Sequence, residues 1–493
     1  MNQHPFVDRA GEVQFLNDRY RSPVPEFLIL YGRRRVGKTT LLARFLQTVP
    51  GFYFLASEEG TARNVQDFSH YAGEYLNDPD FERSRYPDWE AVIKALVRHR
   101  NFSPPPGEKV VIVIDEFPYL IARDRATPSV FQKVWDTVLS REPVMLVISG
   151  SSVSTMETEV LGYTSPLYGR RTGQWQLEPL SYPYLRRFLP YGEEDLVMTW
   201  CVIGGVPAYL RLFRPDRTFW ENVEEQILRK GAYLYSEAEI LMQYEFREAG
   251  NYMAILRALA AGYTTSAPLC QETGLDKGLV SKYLAVLSRM HLIDDEVPVT
   301  AHAGYRRRHY RLTDPYLRFW FRFVYPRRAE TETGQSGEVL ASIREGFAPY
   351  CKEMFEQLAL DLVYRGILFS GSSYSRLGRW WQKEAEIDLV GLNEVSGDAL
   401  FCECKWSVLN RRQARGILAA LREKASEVRW RNESRNERFA LVAKSIEGKE
   451  DLREDGYLVF DLEDIGRLSR EYLARMDEGS PAASPARPLR PGV

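Results

Sequence analysis

The stretch FLILYGRRRVGKTTLL, from Phe27 to Leu42, decides how the N-terminal third of this chain folds. Phe27 to Tyr31 is a short, continuous apolar run, the pattern of a strand buried on both faces. The residues after Thr39, TLLARFLQ, have the pattern of a helix. Between them lies GRRRVGKT, Gly32 to Thr39. This spacing lets backbone N–H groups turn inward around a chain of phosphates. Gly32 and Gly37 remove Cβ atoms where the loop wraps, and the following helix points its positive end at the anion. Arg33, Arg34, Arg35 and Val36 make the wall of the loop. Lys38 supplies a cation to the outer phosphates, Thr39 offers a hydroxyl to Mg²⁺, and Thr40 follows in the first helical turn. The ligands expected here are ATP or ADP with Mg²⁺.

Working outward, Val110 to Ile114 is a second apolar strand that ends in Asp115 and Glu116. Asp115 reaches the sheet edge where it can hold Mg²⁺ through water, and Glu116 can polarise the attacking water. The alternative is a surface acidic pair after a buried strand, and the phosphate loop upstream favours the site. Phe52 to Ala56 and Val144 to Ser149 are further apolar runs, so a parallel sheet covered by helices on both sides is expected. Ser149-Gly150-Ser151-Ser152 ends one strand, where Ser151 can sense the last phosphate. Arg170 and Arg171 read either as an arginine finger or as a solvated surface pair, and spacing alone favours the second.

These motifs, in order, resemble the archaeal-ATPase family within the STAND group of P-loop NTPases. The residues that carry the resemblance are Phe6-Val7-Asp8-Arg9-Ala10-Gly11-Glu12, GRRRVGKT, VIVIDEF, SGSS, PLYGR and Gly204-Gly205-Val206-Pro207. The resemblance implies an ATPase that switches between closed and open states. It implies Arg9 and Glu12 near the adenine, Arg170 directed at the phosphates, and Pro207 sensing the nucleotide from a helical lid. The family usually has Gly where this chain has Asp8, which weakens the adenine-side assignment.

Bulk properties narrow the class. The chain has 493 residues, 44% hydrophobic and 27% charged, with a formal net charge of -2. That length exceeds a single core, and that charge gives no global attraction to nucleic acid, so such binding needs local patches. Five cysteines and six histidines show neither a disulfide framework nor zinc-ligand spacing. No signal peptide pattern and no long apolar run occurs, so a soluble cytoplasmic protein without membrane contact is expected.

Five regions follow along the chain: an ATPase core over 1–175, a helical lid over 176–245, a winged helix-turn-helix over 246–325, a second α/β unit over 340–465, and a tail over 466–493. Met253 to Ala261, Ala267 to Thr273 and Lys277 to Met290 are the three helices of the third region, with Gly274 at the turn, and Tyr305 to Arg311 is expected to pair as a hairpin wing. Lys277, Ser281, Lys282, Arg289 and Arg306 to Arg308 suit phosphate contacts beside a major groove. Asp276, Asp294, Asp295 and Glu296 dilute that face, so DNA contact and internal packing stand equally. Arg327 to Gly337 reads as a polar linker. The closing GSPAASPARPLRPGV has no means of forming a core and is expected to be disordered.

In the second α/β unit, Glu384 to Val390 and Phe401 to Trp406 alternate polar and apolar residues. Period two puts Glu403 and Lys405 on one strand face and turns Cys402 and Cys404 to the other. If the strands form a hairpin, Asp388, Glu403 and Lys405 converge. Asp388 and Glu403 then make a site for Mg²⁺ or Mn²⁺, with Lys405 beside a metal-bound water and Glu356 completing the set from an upstream helix. The alternative is a pair of edge strands with solvated charges. The spacing D-x14-E-x-K resembles the PD-(D/E)xK restriction-endonuclease-like fold, which implies phosphodiester cleavage. Gly378-Arg379-Trp380-Trp381 and ECKW are similar to the nuclease-like domain that follows the ATPase in one branch of the archaeal family.

The expected fold is therefore α/β: a P-loop NTPase three-layer parallel sheet, a helical lid, a winged helix-turn-helix, and a C-terminal restriction-endonuclease-like α/β domain. The leading function is an ATPase controlling a Mg²⁺-dependent nuclease on DNA. The alternatives are a nucleotide-gated DNA-binding regulator, or a scaffold that forms homo-oligomers.

Overall fold

The computed structural model describes residues 5–246, 248–302 and 304–478. Its contacts divide the chain into two compact units. The first runs through Leu180 and includes Val206–Ala208; the second holds Ser181–Gly205 and the chain from Tyr209 onward.

The first unit is built on a five-stranded parallel sheet of order β2-β3-β4-β1-β5. Its strands are β1 (Glu26–Tyr31), β2 (Gly51–Leu55), β3 (Val110–Asp115), β4 (Val144–Gly150) and β5 (Gly173–Gln176). Every residue of β1, β3 and β4 is buried, which is why these strands read as unbroken apolar runs. Strand β2, at the edge, alternates instead. One face packs Phe27, Ile29, Ile112, Ile114, Leu146 and Ile148 among helices. The other packs Leu28, Leu30, Val113 and Val147 on Leu41, Leu42 and Phe45 of the Lys38–Leu46 helix. Strand β4 lies between β1 and β3. The phosphate loop, Asp115 and Ser151 thus leave the same, C-terminal edge of the sheet.

In the second unit the segment after Ser181 is mainly helical, including Glu193–Ile203 and Tyr233–Glu245. Three helices follow, Ala249–Ala260, Ser266–Thr273 and Lys277–Arg289, with Gly274 at φ 69° in the turn. The Asp276 carboxylate caps the third by accepting from the Gly278 and Leu279 N–H groups. The segment expected to pair as a hairpin, Tyr305–Arg311, does so from His309: β7 (His309–Leu312) runs antiparallel to β6 (Ile293–Glu296). Buried Ile293 facing buried Leu312 supplies the reason, since both anchor this short ribbon to the core.

The polar stretch Arg327–Gly337 is helical rather than a linker. It contains the Arg328–Glu332 helix and the start of the Ser336–Tyr364 helix. Tertiary contacts override its composition: the Arg328 guanidinium lies 4.4 Å from the Tyr235 ring centroid, pairs with Glu239 at 2.6 Å, and Thr331 is buried.

A second five-stranded sheet, order β12-β11-β10-β9-β8, comprises β8 (Arg376–Gln382), β9 (Ala385–Leu392), β10 (Asp398–Leu409), β11 (Asn436–Ile446) and β12 (Leu458–Phe460). It is mixed: β8, β9 and β10 are antiparallel neighbours, and β10, β11 and β12 are parallel. The parallel step from β10 to β11 is made through the Arg411–Glu427 helix, as such crossovers require. The region from residue 466 begins in the Leu462–Asp477 helix, with Ser469, Tyr472 and Leu473 buried. The expected disordered segment, 479–493, lies outside the described residues. No helix among the described residues is long and apolar enough to cross a membrane.

Candidate functional site

The loop after β1 is shaped by backbone positions that only some residues tolerate. Gly32 has φ 151°, and a Cβ there would meet the Leu177 carbonyl oxygen at 2.3 Å; Gly37 has φ 104°. Arg35 takes a left-handed φ of 73°. Val36 is fully buried. Lys38 is buried, its Nζ donating to the Gly32 carbonyl at 2.8 Å and to the Arg33 carbonyl at 3.1 Å. Arg34 donates to the Tyr119 hydroxyl at 2.8 Å, while Thr39 and Thr40 are exposed at the helix start.

Asp115 is 2% exposed and closely held. Its Oδ2 accepts from Thr39 Oγ1 at 3.0 Å and from the Tyr53 hydroxyl at 2.5 Å; its Oδ1 accepts from the Glu116 N–H at 2.9 Å. Burial, then the Asp115 charge, push the Tyr53 phenol upward, so it stays protonated and donates. Glu116 stands at φ 54° at the start of the Phe117–Arg123 helix, a strained position for a residue with a Cβ. Its Oε2 accepts from the Ser151 hydroxyl at 2.8 Å and the Ser151 N–H at 3.3 Å. Thr39, Asp115, Glu116 and Ser151 are thus one hydrogen-bonded group, and Tyr53 joins it without any signal in the sequence.

A hydroxyl and a carboxylate are hard oxygen donors, and one or two carboxylates plus phosphates and water suit Mg²⁺. Thr39 and Asp115 are the residues that would hold it, where it would neutralise charge developing on the phosphates. The chain's own groups would supply the rest: Lys38 a cation to the phosphates, Glu116 an acceptor for the water proton, Ser151 a donor beside it.

Arg9, expected beside the adenine, ties the phosphate loop to the segment after β5. Its guanidinium donates to the Val36 and Glu178 carbonyls, both at 2.9 Å, and to Glu12 at 3.3 Å. It braces the phosphate loop from behind. Burial raises the Glu12 carboxyl, with Arg9 opposing. Asp8 sits at φ 58°, a conformation glycine takes freely and aspartate tolerates. The departure from the usual Gly is therefore accommodated locally. Pro207 opens the Pro207–Leu210 helix and belongs to the first unit.

Arg170 does not reach the phosphate loop along its own chain. Gly173 pairs with Leu28 and the Thr172 N–H donates to the Phe27 carbonyl, so Arg170 arrives at the N-terminal edge of the sheet, opposite the loop. There it pairs with Asp136 at 3.3 Å.

The second unit carries a separate acidic cluster. The antiparallel register, Cys402 opposite Leu389, sets Asp388 beside Glu403. Asp388 Oδ2 accepts from the Cys404 N–H at 2.8 Å and from Lys405 Nζ at 3.5 Å; Glu403 Oε2 accepts from Lys405 at 2.5 Å. Burial alone would lower Lys405, but Asp388 and Glu403 hold it above the usual lysine range. The other Glu403 oxygen accepts from Lys424 at 2.8 Å, a residue of the crossover helix whose sequence context reads as solvated surface. Cys402 and Cys404 are fully buried.

Glu356 is 5% exposed, and its cationic partner is Arg379 at 2.7 Å. Burial lifts its carboxyl to about 7 against the pull of Arg379, and the Asp388 charge lifts it further. Arg379 also pairs with Glu386 at 2.7 Å. The β6–β7 ribbon leans on the same strand: the Val299 N–H donates to the Arg379 carbonyl at 2.9 Å, and the His309 and Trp381 ring centroids are 4.8 Å apart. Among the described residues no three His, Cys, Asp or Glu side chains form a metal cage. The pair Asp388 and Glu403 fits a cation that keeps most of its waters, as Mg²⁺ does.

Residues 6–213 match a family described as an ATPase domain predominantly from Archaea. Residues 320–417 match archaeal and bacterial proteins of unknown function. An uncharacterized protein of Methanocaldococcus jannaschii is 33% identical over 463 residues, covering 93% of this chain and 100% of the relative. The chain belongs to the archaeal ATPase family. Its nucleotide site is thus that of an ATPase, a class that takes a nucleotide with Mg²⁺. Among solved structures, the Walker-type ATPase of Pyrococcus abyssi is similar at 19% identity and a TM-score of 0.47, over 64% of this chain and 96% of that one. The Orc1 protein of Aeropyrum pernix, solved in complex with DNA, is similar at 15% identity and a TM-score of 0.34, over 69% and 95%.

Proposed function

We propose that this ATPase controls a Mg²⁺-dependent nuclease site in its second unit, and that the substrate is DNA. The observation that carries the reading is the convergence of Asp388, Glu403 and Lys405 on two adjacent strands, with Lys405 within 3.5 Å of both carboxylates. Two carboxylates with a lysine alongside are the groups that phosphodiester hydrolysis needs: anions to hold Mg²⁺ or Mn²⁺, and a cation for the phosphate and the incoming water. A mixed sheet with a crossover helix beside the cluster supports a restriction-endonuclease-like reading. Three helices followed by a two-stranded ribbon support a winged helix-turn-helix, and its exposed Lys277, Ser281, Lys282, Arg289, Arg306 and Arg307 suit a phosphate backbone. The ribbon's lean on β8 favours a second use for this element, as an internal brace of the acidic cluster.

The test is strand cleavage of single- and double-stranded DNA and of RNA by the full chain, with Mg²⁺ or Mn²⁺, with and without ATP. Nucleotide-dependent DNA cleavage that disappears in Asp388→Ala is the expected result. Retention of DNA without breaks, equal in Asp388→Ala, would replace the nuclease with a nucleotide-gated DNA-binding regulator. ATP-dependent assembly with neither activity would favour the oligomeric scaffold.

A further inference from the structure

Asp115 accepts three hydrogen bonds within the first unit, two of them on Oδ2. A carboxylate offers about four acceptor directions, so about one remains for a metal ion or its water. Which direction remains depends on what holds the other three. The Glu116 N–H is fixed by backbone. Thr39 hangs from the first turn of a helix and is exposed. The third donor, Tyr53, is of another kind. Its strand register places it opposite Val113, two residues before Asp115 and therefore on the same sheet face. Its partly buried ring packs against the core cluster that contains Val36, Leu41, Leu42 and Val113. A rigid ring resting on that core carries its hydroxyl to Oδ2, which it meets at 2.5 Å.

We propose that Tyr53 is a positioning residue of the nucleotide site, fixing the Asp115 carboxylate so that its remaining acceptor direction faces the magnesium ion of the bound nucleotide. A phenol ordinarily titrates near about pH 10, so the hydroxyl is a donor at neutral pH. The hydroxyl of Thr39 has a second use, as an oxygen ligand for the ion. Tyr53 has none, and its hold on Asp115 does not compete with the metal. Groups that orient metal ligands from behind commonly change metal affinity by about 10–100-fold when removed.

The test uses the full chain and Tyr53→Phe, which keeps the ring and removes only the hydroxyl. Calorimetry with ADP in EDTA and then in Mg²⁺ separates phosphate binding from metal binding. Expected is ADP affinity in EDTA within about twofold of wild type, with the gain on adding Mg²⁺ reduced by about tenfold. The Mg²⁺ concentration giving half-maximal ATP hydrolysis should rise by a similar factor, with the rate recovering at high Mg²⁺. An unchanged magnesium requirement overturns the proposal. So does an equal loss of ADP affinity with and without the metal, which would make Tyr53 a packing residue only.

Discussion

Each unit carries a pair of acidic residues on its sheet, Asp115 and Glu116 at the end of β3 and Asp388 and Glu403 within β9 and β10, and the two pairs have their charge balanced in opposite ways. In the first unit the donors to Asp115 and Glu116 are neutral: Thr39, Tyr53 and Ser151 hydroxyls and backbone N–H groups. In the second they are mostly cations: Lys405 bridges Asp388 and Glu403, Lys424 holds Glu403, and Arg379 holds Glu356. Neutral donors orient a carboxylate while leaving its charge available to a metal. Cationic donors offset that charge, so an incoming divalent ion must compete with lysines. On the proposed reading, the first site would receive Mg²⁺ with a nucleotide, whereas the second would take a cation only as its lysines give way.

The largest effect expected from this contrast is at Lys38. In a loop of this pattern the lysine ammonium is the cation supplied to the outer phosphates. Lys38→Ala should lower ATP affinity by about 100-fold, the equivalent of about 3 kcal/mol. Calorimetry on the intact chain would measure it, and unchanged affinity would contradict the assignment of the loop. A smaller effect distinguishes the second site. Removing Lys424 strips one compensating charge from Glu403, so Lys424→Ala should tighten Mn²⁺ binding there by about fivefold. Weaker or equal binding would break the comparison, because it would mean that the lysine does not oppose the metal.

The smallest effect is on stability. Glu356 holds its proton more tightly in the folded chain, at about 7, than the ordinary 4.5. A raised folded value stabilises the fold fully below about pH 4.5, and that contribution is lost as pH climbs through about 7. Glu356→Gln cannot ionise and escapes the loss. Its melting temperature relative to wild type should therefore improve between about pH 5 and about pH 7.5, by roughly 2 °C or more. A difference independent of pH would show that Glu356 does not titrate in that window.

Much of the frame was legible because it rests on local chemistry. Continuous apolar runs announced β1, β3 and β4, since a strand covered on both faces leaves no polar positions. Gly32 and Gly37 announced the loop, since a side chain at Gly32 has no room beside Leu177. Alternation announced β9 and β10, and the helices around Gly274 fell where the period placed them. Composition misled at Arg327–Gly337, where a cation over an aromatic ring and a buried threonine draw polar residues into helices.

The identity of the phosphate loop and of the acidic strand ends was determined by sequence alone, because backbone wrapping and strand periodicity depend on near neighbours. Tertiary structure decided which side chains hold them. Tyr53, Lys424 and Arg379 lie 62, 21 and 23 residues from the carboxylates they contact, and no local pattern marks a tyrosine on an edge strand or a lysine on a helix as a partner. It also decided where Arg170 goes, because the entry point of β5 into the sheet is set by pairing with β1. Charge compensation is a property of space, and only the folded chain brings the compensating groups within reach.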